Sequence, residues 1–356
     1  MTEQRSTASK FRIGDLIPRM VLPSVQGGSV DFSQQFIAGN TLLLWFVDPL
    51  DLPAAVDMLT DRAKIFLELE TKPFIILTSP SEEVTDECCG SQSVVMDPAA
   101  KFSAGLGVES SGIVIIDPNN RFNTLLLTVK IDEAVEVCRG IHDSTQDQEV
   151  LAQAPVLLVP SVLDPSLCTD LIDYWGDGEK LIDAVASNTQ GHQKSRPDLK
   201  KRHDVALLDK ALYGRVKQDL TRRLIPEIFK VFGFKTSNME AVRIGCYDSA
   251  YKGFFGRHRD NRTRYTAHRK FAVTLNLSQN YDGGQVRFPE YGRLLYSSKT
   301  GGAIVFSCSL LHEALPVTKG KRFAMFTFLT DSEGEAMAKK MRIQEGDAVK
   351  GYRMQD

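Results

Sequence analysis

Two histidines and an aspartate have the residue types and the spacing of a metal site. His258 and Asp260 are separated by a single residue in the segment RHRD. In an extended segment, residues i and i+2 point to the same face, so both side chains can reach one metal ion. A third candidate ligand, His312, follows 52 residues after Asp260, just beyond an apolar segment. Two imidazoles and one carboxylate are the ligand set of non-haem Fe(II) oxygenases, which leave coordination positions open for a co-substrate and O2.

A His-x-Asp motif alone is weak evidence, because short patterns often arise by chance. The chain has six histidines, and those at 142, 192, 203 and 268 have no carboxylate two residues later. His203 and Asp204 are adjacent and would point to opposite faces of a strand. The order of His258, Asp260 and His312, with glycine-punctuated strands between the last two, favours the metal site.

Cationic side chains near this motif suggest sites for anions. Arg322 opens the apolar segment RFAMFTFL, ten residues after His312. A buried guanidinium at that position could bind a distal carboxylate bidentately, which lysine would do less specifically. The loop after Asp260 also carries Arg262, Arg264 and Arg269. A solvated run of charge explains this loop most simply; the functional alternative is a mobile substrate loop that favours an acidic partner surface.

Length and composition indicate an ordinary globular protein with two domains. The chain has 356 residues, of which 42% are hydrophobic and 25% charged, and its net charge is −2. Neither nucleic acid nor a membrane is expected as a partner, because there is no bulk basicity and no apolar run near about 20 residues. The six cysteines lack zinc-site spacing and predict reduced thiols in a cytoplasmic protein. Whether Cys88, Cys89 or Cys138 has a redox role stays open.

The first half alternates strand-like and helix-like segments. Continuous apolar runs and a Pro-Asn-Asn-Arg turn predict strands at Thr41–Val47, 73–78, 112–117 and 124–129. Apolar spacing predicts helices at 52–70 and 130–141. This order of strand, helix, strand, hairpin and helix is thioredoxin-like.

The second half begins with helices and continues with short strands. The polar segment 142–154 predicts a linker, so we expect domains at 1–145 and 155–356. Helices are predicted at 165–175, with Asp164 as N-cap, and at 210–232, with a bend at Pro226. Strands are predicted at 241–247, 271–277, 285–288, 293–296, Ala303–Ser307 and 322–329. The predicted class is therefore α/β plus mainly β: a thioredoxin-like domain, then a double-stranded β-helix (jelly roll) braced by helices.

Residues 155–330 resemble the prolyl 4-hydroxylase-like branch of the 2-oxoglutarate-dependent oxygenases. The similarity runs from PVLLVPSVLDPSLCTDLIDYW through CYDSAYKGFFGRHRDN to RFAMFTFL. It implies that Tyr247 lines the 2-oxoglutarate pocket and that Arg322 binds the C5 carboxylate, as arginine does in the oxygen-sensing members. Those members carry a tyrosine on an early barrel strand, where this chain reads Leu275-Asn276-Leu277. The resemblance therefore makes Asn276 a candidate hydrogen-bond partner of the co-substrate.

The same resemblance implies a set of cofactors and a reaction. Fe(II) and 2-oxoglutarate would react with O2 to release succinate and CO2 while an unactivated C–H bond is hydroxylated. L-ascorbate is a further candidate cofactor. The leading hypothesis is a prolyl residue of a protein or peptide substrate. The alternatives are a small-molecule or free amino-acid hydroxylase, and a redox- or oxygen-linked interaction protein that docks through its first domain.

Residues 11–142 resemble peroxiredoxins and other redoxins, through FRIGDLIPRMVLPSVQGGSVDFSQQF followed by TLLLWFVDP. Those enzymes place a nucleophilic cysteine in the first turn after this strand, where a helix N-terminus lowers its pKa. Here the corresponding stretch, 48–56, reads DPLDLPAAV and contains no thiol. We therefore expect a redoxin-like fold without redoxin catalysis, used for docking or for a homodimer.

Overall fold

The computed structural model of the protein describes residues 11–34, 37–79, 84–128, 130–144, 153–186 and 193–345. The chain forms two compact units, Met1–Glu149 (unit 1) and Val150–Asp356 (unit 2). Among the described residues, no helix has both the length and the apolar character needed to cross a membrane. Most of the predicted linker, residues 145–152, lies outside the described residues.

Unit 1 is built on one mixed sheet with helices. Its strands are β1 (Val21–Pro23), β2 (Ser29–Asp31), β3 (Thr41–Val47), β4 (Thr71–Leu77), β5 (Val94–Met96), β6 (Gly112–Ile116) and β7 (Phe122–Leu126). Its helices are α1 (Leu52–Thr60), α2 (Ala63–Glu68), α3 (Lys101–Leu106) and α4 (Ile131–Asp143). The sheet order is β5-β4-β3-β6-β7, with β1 and β2 forming a separate hairpin.

The centre of unit 1 is β3, whose seven residues are all buried. It runs parallel to β4 and antiparallel to β6, and its continuous apolar run matches its burial on both faces. Trp45 packs into one core cluster with Phe66, and Phe46 packs into the other with Phe74. The strand and hairpin order predicted from the sequence is present.

One predicted helix in unit 1 is wrong in extent. The segment predicted as 52–70 is two helices, α1 and α2, interrupted at Asp61 and Arg62. The Arg62 guanidinium donates to the Met58 carbonyl and to the Asp132 carboxylate of α4. The backbone dihedral angles of Arg62 lie outside the α-helical range. The helix that local spacing predicts is therefore interrupted at the position where Arg62 contacts α4.

Unit 2 contains two main sheets. Its strands are β8 (Val156–Val159), β9 (Leu181–Ile182), β10 (Ala184–Ala186), β11 (Gln193–Ser195), β12 (Lys200–Lys201), β13 (His203–Ala206), β14 (Asn238–Met239), β15 (Arg243–Asp248), β16 (Phe254–His258), β17 (Phe271–Asn276), β18 (Asp282–Gly283), β19 (Val286–Arg287), β20 (Leu295–Tyr296), β21 (Ala303–Ser307), β22 (His312–Ala314), β23 (Val317–Lys319) and β24 (Lys321–Thr330). The large sheet has the order β8-β21-β17-β24-β15-β13-β9, and the smaller one the order β12-β16-β22-β19-β20.

The described residues of unit 2 also form the helices α5 (Pro165–Asp177), α6 (Lys210–Asp219), α7 (Ile225–Phe232) and α8 (Ser332–Glu345). One face of the large sheet packs with α5, α6 and α7 in an apolar core that includes Leu171, Leu224 and Met325. Its other face meets the smaller sheet, where Phe306 packs with Phe288 and Val286. The fold is therefore mixed and rich in sheets, with helices covering one side of the large sheet.

The predicted long helix at 210–232 is interrupted by a π-helical turn at Leu220–Leu224. Pro226, two residues after this turn, lacks the N–H that a regular α-helical turn would use. Within the turn, Arg223 is fully buried and donates to the Val162 carbonyl and the Asp164 carboxylate. Asp164 is the N-cap residue of α5, as predicted, but its carboxylate binds Arg223 and makes no capping hydrogen bond.

Candidate active site

His258 and His312 face each other across two strands of the smaller sheet. His258 ends β16, His312 begins β22, and the two residues are direct partners in the antiparallel register. Asp260 lies two residues past the end of β16, where its backbone N–H donates to the Cys308 carbonyl at 3.0 Å. The extended segment predicted to include both His258 and Asp260 therefore ends at His258. A turn, anchored on the segment before His312, brings the carboxylate to the imidazoles instead.

The three side chains converge on one point. Their ligand atoms all lie within 4.8 Å of one another. Asp260 Oδ1 lies 3.4 Å from His258 Nε2, and Asp260 Oδ2 lies 3.4 Å from His312 Nε2. The two Nδ1 atoms bond to main-chain carbonyls, at 2.8 Å to Gly256 and 3.0 Å to Leu310. Because each Nδ1 carries the donated proton, each Nε2 presents a lone pair toward the common point.

The electrostatics of this group suit cation binding. Burial lowers the pKa of His312 to about 4, although the Asp260 carboxylate opposes this effect. Burial would raise the pKa of Asp260, but the neighbouring imidazoles, His312 above all, lower it to about 2. At neutral pH the group is thus a carboxylate beside a neutral imidazole, the protonation states that metal coordination needs. Two imidazole nitrogens and a carboxylate could hold a divalent transition metal on one face.

A cavity of about 280 Å³ opens beside the three residues and is lined by both sheets. Arg322 on β24 and Tyr247 on β15 are cross-strand partners, are both buried, and both line this cavity. The Arg322 guanidinium lies 5.4 Å from the centre of the Tyr247 ring. Gly284 makes room for it, because a Cβ there would stand 2.8 Å from Arg322 Cδ. The structure thus brings Arg322 and Tyr247 together with the His-Asp-His group.

Asn276 does not line the cavity. Its amide NH2 donates to the carbonyls of Ser278 and Ser298, and its amide oxygen accepts from the Tyr281 hydroxyl. The side chain therefore ties together the turn after β17, and the geometry gives no support to a bond with the co-substrate. Two residues earlier on the same face of β17, Thr274 does line the cavity. Its hydroxyl is buried and has no hydrogen-bond partner among the described residues.

The predicted substrate loop divides into two kinds of residue. Arg262 and Arg264 are exposed. Arg269 is held by a bidentate pair with Glu240, both bonds 2.7 Å long, and lies 3.8 Å above the Phe328 ring. Burial would raise the pKa of Glu240, but Arg269 and His268 lower it to about 2. Arg269 is thus a fixed wall of the cavity and not part of a mobile loop.

A cluster of buried charge surrounds Asp204 and was not predicted from the sequence. The Asp204 carboxylate accepts from the Lys200 ammonium at 2.6 Å and from two nitrogens of Arg202, at 2.5 and 2.9 Å. Arg202 also donates to the Tyr247 hydroxyl at 3.0 Å. A Cβ on Gly245 would stand 2.6 Å from the carboxylate, so glycine is required where this pair crosses β15. The alternation Lys200-x-Arg202-x-Asp204 was a visible signal, since such residues share one face of an extended segment.

Arg243 is a second cavity residue that the sequence did not reveal. It is the cross-strand partner of Phe326 on β24, and the Arg202 guanidinium lies 3.9 Å from the Phe326 ring centre. No sequence motif marks this arginine as a cavity residue. Its position in the cavity follows only from the pairing of β15 with β24.

No protein-family model matches this chain. It is 27% identical over 192 residues to a PKHD-type hydroxylase of Caulobacter sp. (strain K31), covering 49% of this chain and 77% of that protein. It is 26% identical over 98 residues to a PKHD-type hydroxylase of Synechococcus sp. (strain JA-2-3B'a(2-13)), covering 26% of this chain. The match spans 43% of that relative's length, less than half of it.

The solved structures that are similar to part of this chain include two prolyl hydroxylases. One, from Trichoplax adhaerens in complex with a hypoxia inducible factor oxygen degradation domain peptide, shares 15% identity at a TM-score of 0.41, covering 51% of this chain and 86% of that one. The other, a prolyl-4-hydroxylase of Pseudomonas putida, shares 16% identity at a TM-score of 0.37, with coverages of 50% and 94%. A putative protein disulfide isomerase of Bacteroides thetaiotaomicron covers 38% of this chain and 92% of its own, with 17% identity and a TM-score of 0.32. Similarities of this size establish no activity.

Proposed function

We propose that unit 2 is an Fe(II)- and 2-oxoglutarate-dependent dioxygenase that hydroxylates an unactivated C–H bond. The observation that carries the proposal is the convergence of His258, Asp260 and His312 beside a cavity that also contains the buried Arg322. A facial set of two imidazoles and one carboxylate suits Fe(II), and a buried guanidinium suits the distal carboxylate of a dicarboxylic acid. The similarity to PKHD-type hydroxylases points to the same chemistry.

In this proposal, Fe(II) and 2-oxoglutarate supply the oxidising chemistry with O2, and succinate and CO2 are released. His258, Asp260 and His312 hold the metal, and Arg322 binds the C5 carboxylate. The Thr274 hydroxyl, buried beside that space, is available for a further hydrogen bond to the co-substrate. Phe255 stacks on the His258 ring at 3.6 Å between centres, while Phe306 packs edge-on to His312, and both exclude water.

We propose a prolyl residue of a protein or peptide as the substrate class, on the resemblance of residues 155–330 to the prolyl 4-hydroxylase-like oxygenases. A single-turnover experiment tests the reaction. The protein is loaded anaerobically with Fe(II) and 2-oxoglutarate, O2 is added with candidate peptides and proteins, and each is weighed by mass spectrometry. Oxygenation adds one oxygen atom to a substrate and yields one succinate. The His312→Ala variant is the matched control, and equal succinate formation by that variant would reject the proposal.

The finer fold assignments are also proposals. We propose that the two sheets of unit 2 form a double-stranded β-helix, supported by their shared cavity and by the pairing of β16 with β22. We propose a thioredoxin-like class for unit 1, supported by its sheet order and by α4 after the β6–β7 hairpin. Unit 1 would then be a docking or dimerisation module without thiol catalysis, in a cytoplasmic protein.

A further inference from the structure

The hydroxyl of Tyr247 accepts a hydrogen bond from the guanidinium of Arg202 at 3.0 Å. Arginine has donors and no acceptor, so Arg202 can only donate and the phenolic proton is left for another group. Within the part of the chain that the structure describes, no side chain or carbonyl accepts that proton. Tyr247 is buried and lines the cavity. Because a buried donor without an acceptor is costly, the proton is suited to an acceptor on a ligand in the cavity.

Arg202 is itself held in one position. It forms a bidentate pair with the Asp204 carboxylate, at 2.5 and 2.9 Å, and its guanidinium lies 3.9 Å from the centre of the Phe326 ring. The Arg202 backbone N–H donates to the Asp183 carboxylate at 2.9 Å. Since the guanidinium is planar and rigid, fixing two of its nitrogens on Asp204 also fixes the third nitrogen, which donates to Tyr247.

Arg322 is a second cation beside Tyr247. The two residues are cross-strand partners, and the Arg322 guanidinium lies 5.4 Å from the centre of the Tyr247 ring. A carboxylate that binds Arg322 in the cavity therefore also lies near the Tyr247 side chain. The bond from Arg202 polarises the Tyr247 hydroxyl, and hydrogen bonds in a chain strengthen one another, so the phenol becomes a better donor to that carboxylate.

We infer that Arg202 is a positioning residue for 2-oxoglutarate: with Asp204, it holds the Tyr247 hydroxyl as a donor to the carboxylate that Arg322 binds. This inference rests on the proposed function and deepens it, because it names the side chains that orient the co-substrate site. Arg202 does not contact the co-substrate in this arrangement. It acts through Tyr247, and that dependence can be measured.

A double-mutant cycle tests whether Arg202 acts through Tyr247. The full-length protein is loaded anaerobically with Fe(II), and its affinity for 2-oxoglutarate is measured by calorimetry. The wild type, Arg202→Met, Tyr247→Phe and the double variant are compared. Tyr247→Phe should weaken binding about tenfold, because a hydrogen bond to a charged group is lost, and Arg202→Met should weaken it at least about threefold. In the Tyr247→Phe background, Arg202→Met should weaken binding less than about twofold, because coupled residues are not additive.

Lys200→Met is the matched control. Lys200 is a buried cation on the same Asp204 carboxylate, at 2.6 Å, and its other hydrogen bond goes to the Ala184 carbonyl and not to Tyr247. Its removal should therefore change the affinity for 2-oxoglutarate less than about twofold. If Arg202→Met does not fold, Arg202→Lys takes its place in the cycle. An ammonium group keeps the charge but cannot keep both the bidentate pair and the bond to Tyr247.

Two results would overturn the inference. Equal effects of Arg202→Met with and without the Tyr247 hydroxyl would show that Arg202 acts independently of Tyr247. An equal loss of affinity in Lys200→Met would assign the effect to the charge around Asp204. The proposed function is tested separately, by decarboxylation of 2-oxoglutarate in the wild type. Binding and coupling without decarboxylation would reject that function and keep the inference, whereas a wild type that binds no 2-oxoglutarate would reject both.

Discussion

His258 and His312 are direct cross-strand partners, and their ring centres lie 4.2 Å apart. Each ring is fixed by an Nδ1 bond to the carbonyl two residues earlier. Gly256 lies in β16 and Leu310 in the turn just before β22, so each imidazole is oriented by main chain next to it in the sequence. This rigidity is what a preorganised metal site requires.

The metal assignment predicts the effect of removing each ligand. His258→Ala, Asp260→Ala and His312→Ala should each abolish Fe(II)-dependent decarboxylation of 2-oxoglutarate, because two ligands leave an incomplete face. Iron content after dialysis should fall in parallel with succinate formation. His203→Gln is the matched control, since His203 stacks on Tyr251 and is not among the three candidate ligands. Full turnover by any folded ligand variant would remove that residue from the metal site.

Arg322 is predicted to bind the co-substrate and not the metal. Arg322→Ala should raise the 2-oxoglutarate concentration needed for half-maximal turnover roughly tenfold to a hundredfold, as expected from a charged hydrogen-bonding partner worth about 1.5–3 kcal/mol. Iron binding should stay nearly unchanged. Arg322→Lys should recover part of the affinity, because it restores the charge but not the bidentate geometry. An unaltered requirement in the alanine variant would assign the distal carboxylate to another cation.

Gly245 tests the packing of the buried charges. Gly245→Ala should lower the free energy of unfolding by about 1–3 kcal/mol, because its Cβ would stand 2.6 Å from the Asp204 carboxylate and 2.8 Å from Arg202 Cδ. Gly214→Ala on α6 is the matched control, since its Cβ meets no atom within 4 Å. That change should stabilise the protein by roughly 0.5–1 kcal/mol, as alanine does in place of glycine within a helix. Chemical denaturation measures both changes, and equal effects would show that the strand yields freely at 245.

The ion pairs of Glu240 should make a pH-dependent contribution to the free energy of unfolding. Its pKa in the folded protein is lowered to about 2, so its ion pairs stabilise the protein above the unfolded pKa of about 4.3. This contribution, on the order of 3 kcal/mol, should be lost as the pH falls through that window toward 2. Glu240→Gln should therefore be clearly less stable than the wild type at pH 6, and the difference should become small only as the pH falls through the folded pKa of about 2. Denaturant unfolding of the metal-free proteins gives the difference at each pH, and a constant difference would contradict the assignment.

The two units should separate functionally. A truncated protein that begins at Val150 should fold and retain decarboxylation of 2-oxoglutarate without substrate, because unit 2 has its own apolar cores. A truncation that begins at Ala154 or later should lower the stability of unit 2. The reason is that the buried Ala154 N–H donates to the Tyr296 hydroxyl at 2.9 Å. Isolated unit 1 should not reduce hydrogen peroxide with a thiol reductant. Peroxide consumption would give Cys88, Cys89 or Cys138 a redox role.

The sequence revealed those site residues that follow a local rule. His258 and Asp260 form a recognisable spacing, and Arg322 opens an apolar strand. Arg243 and Thr274 were missed because β15 and β17 reach the cavity only by pairing with β24, whose residues lie more than 40 positions away. Asn276 was mistaken for a cavity residue for a related reason: its three bonds involve Ser278, Tyr281 and Ser298, which local patterns do not connect.

The charges around Asp204 have a consequence for how the large sheet assembles. In the observed register, Asp204 pairs with Gly245, the one position of β15 at which a missing side chain leaves room for the carboxylate and for Arg202. A slip of β13 by one residue would turn Asp204 to the opposite face, toward the apolar core, and would strand both cations without their partner. A shifted register of β13 should therefore have a much higher free energy than the observed one. The same ion pairs that line the cavity therefore favour the observed register of β13 with β15 during folding.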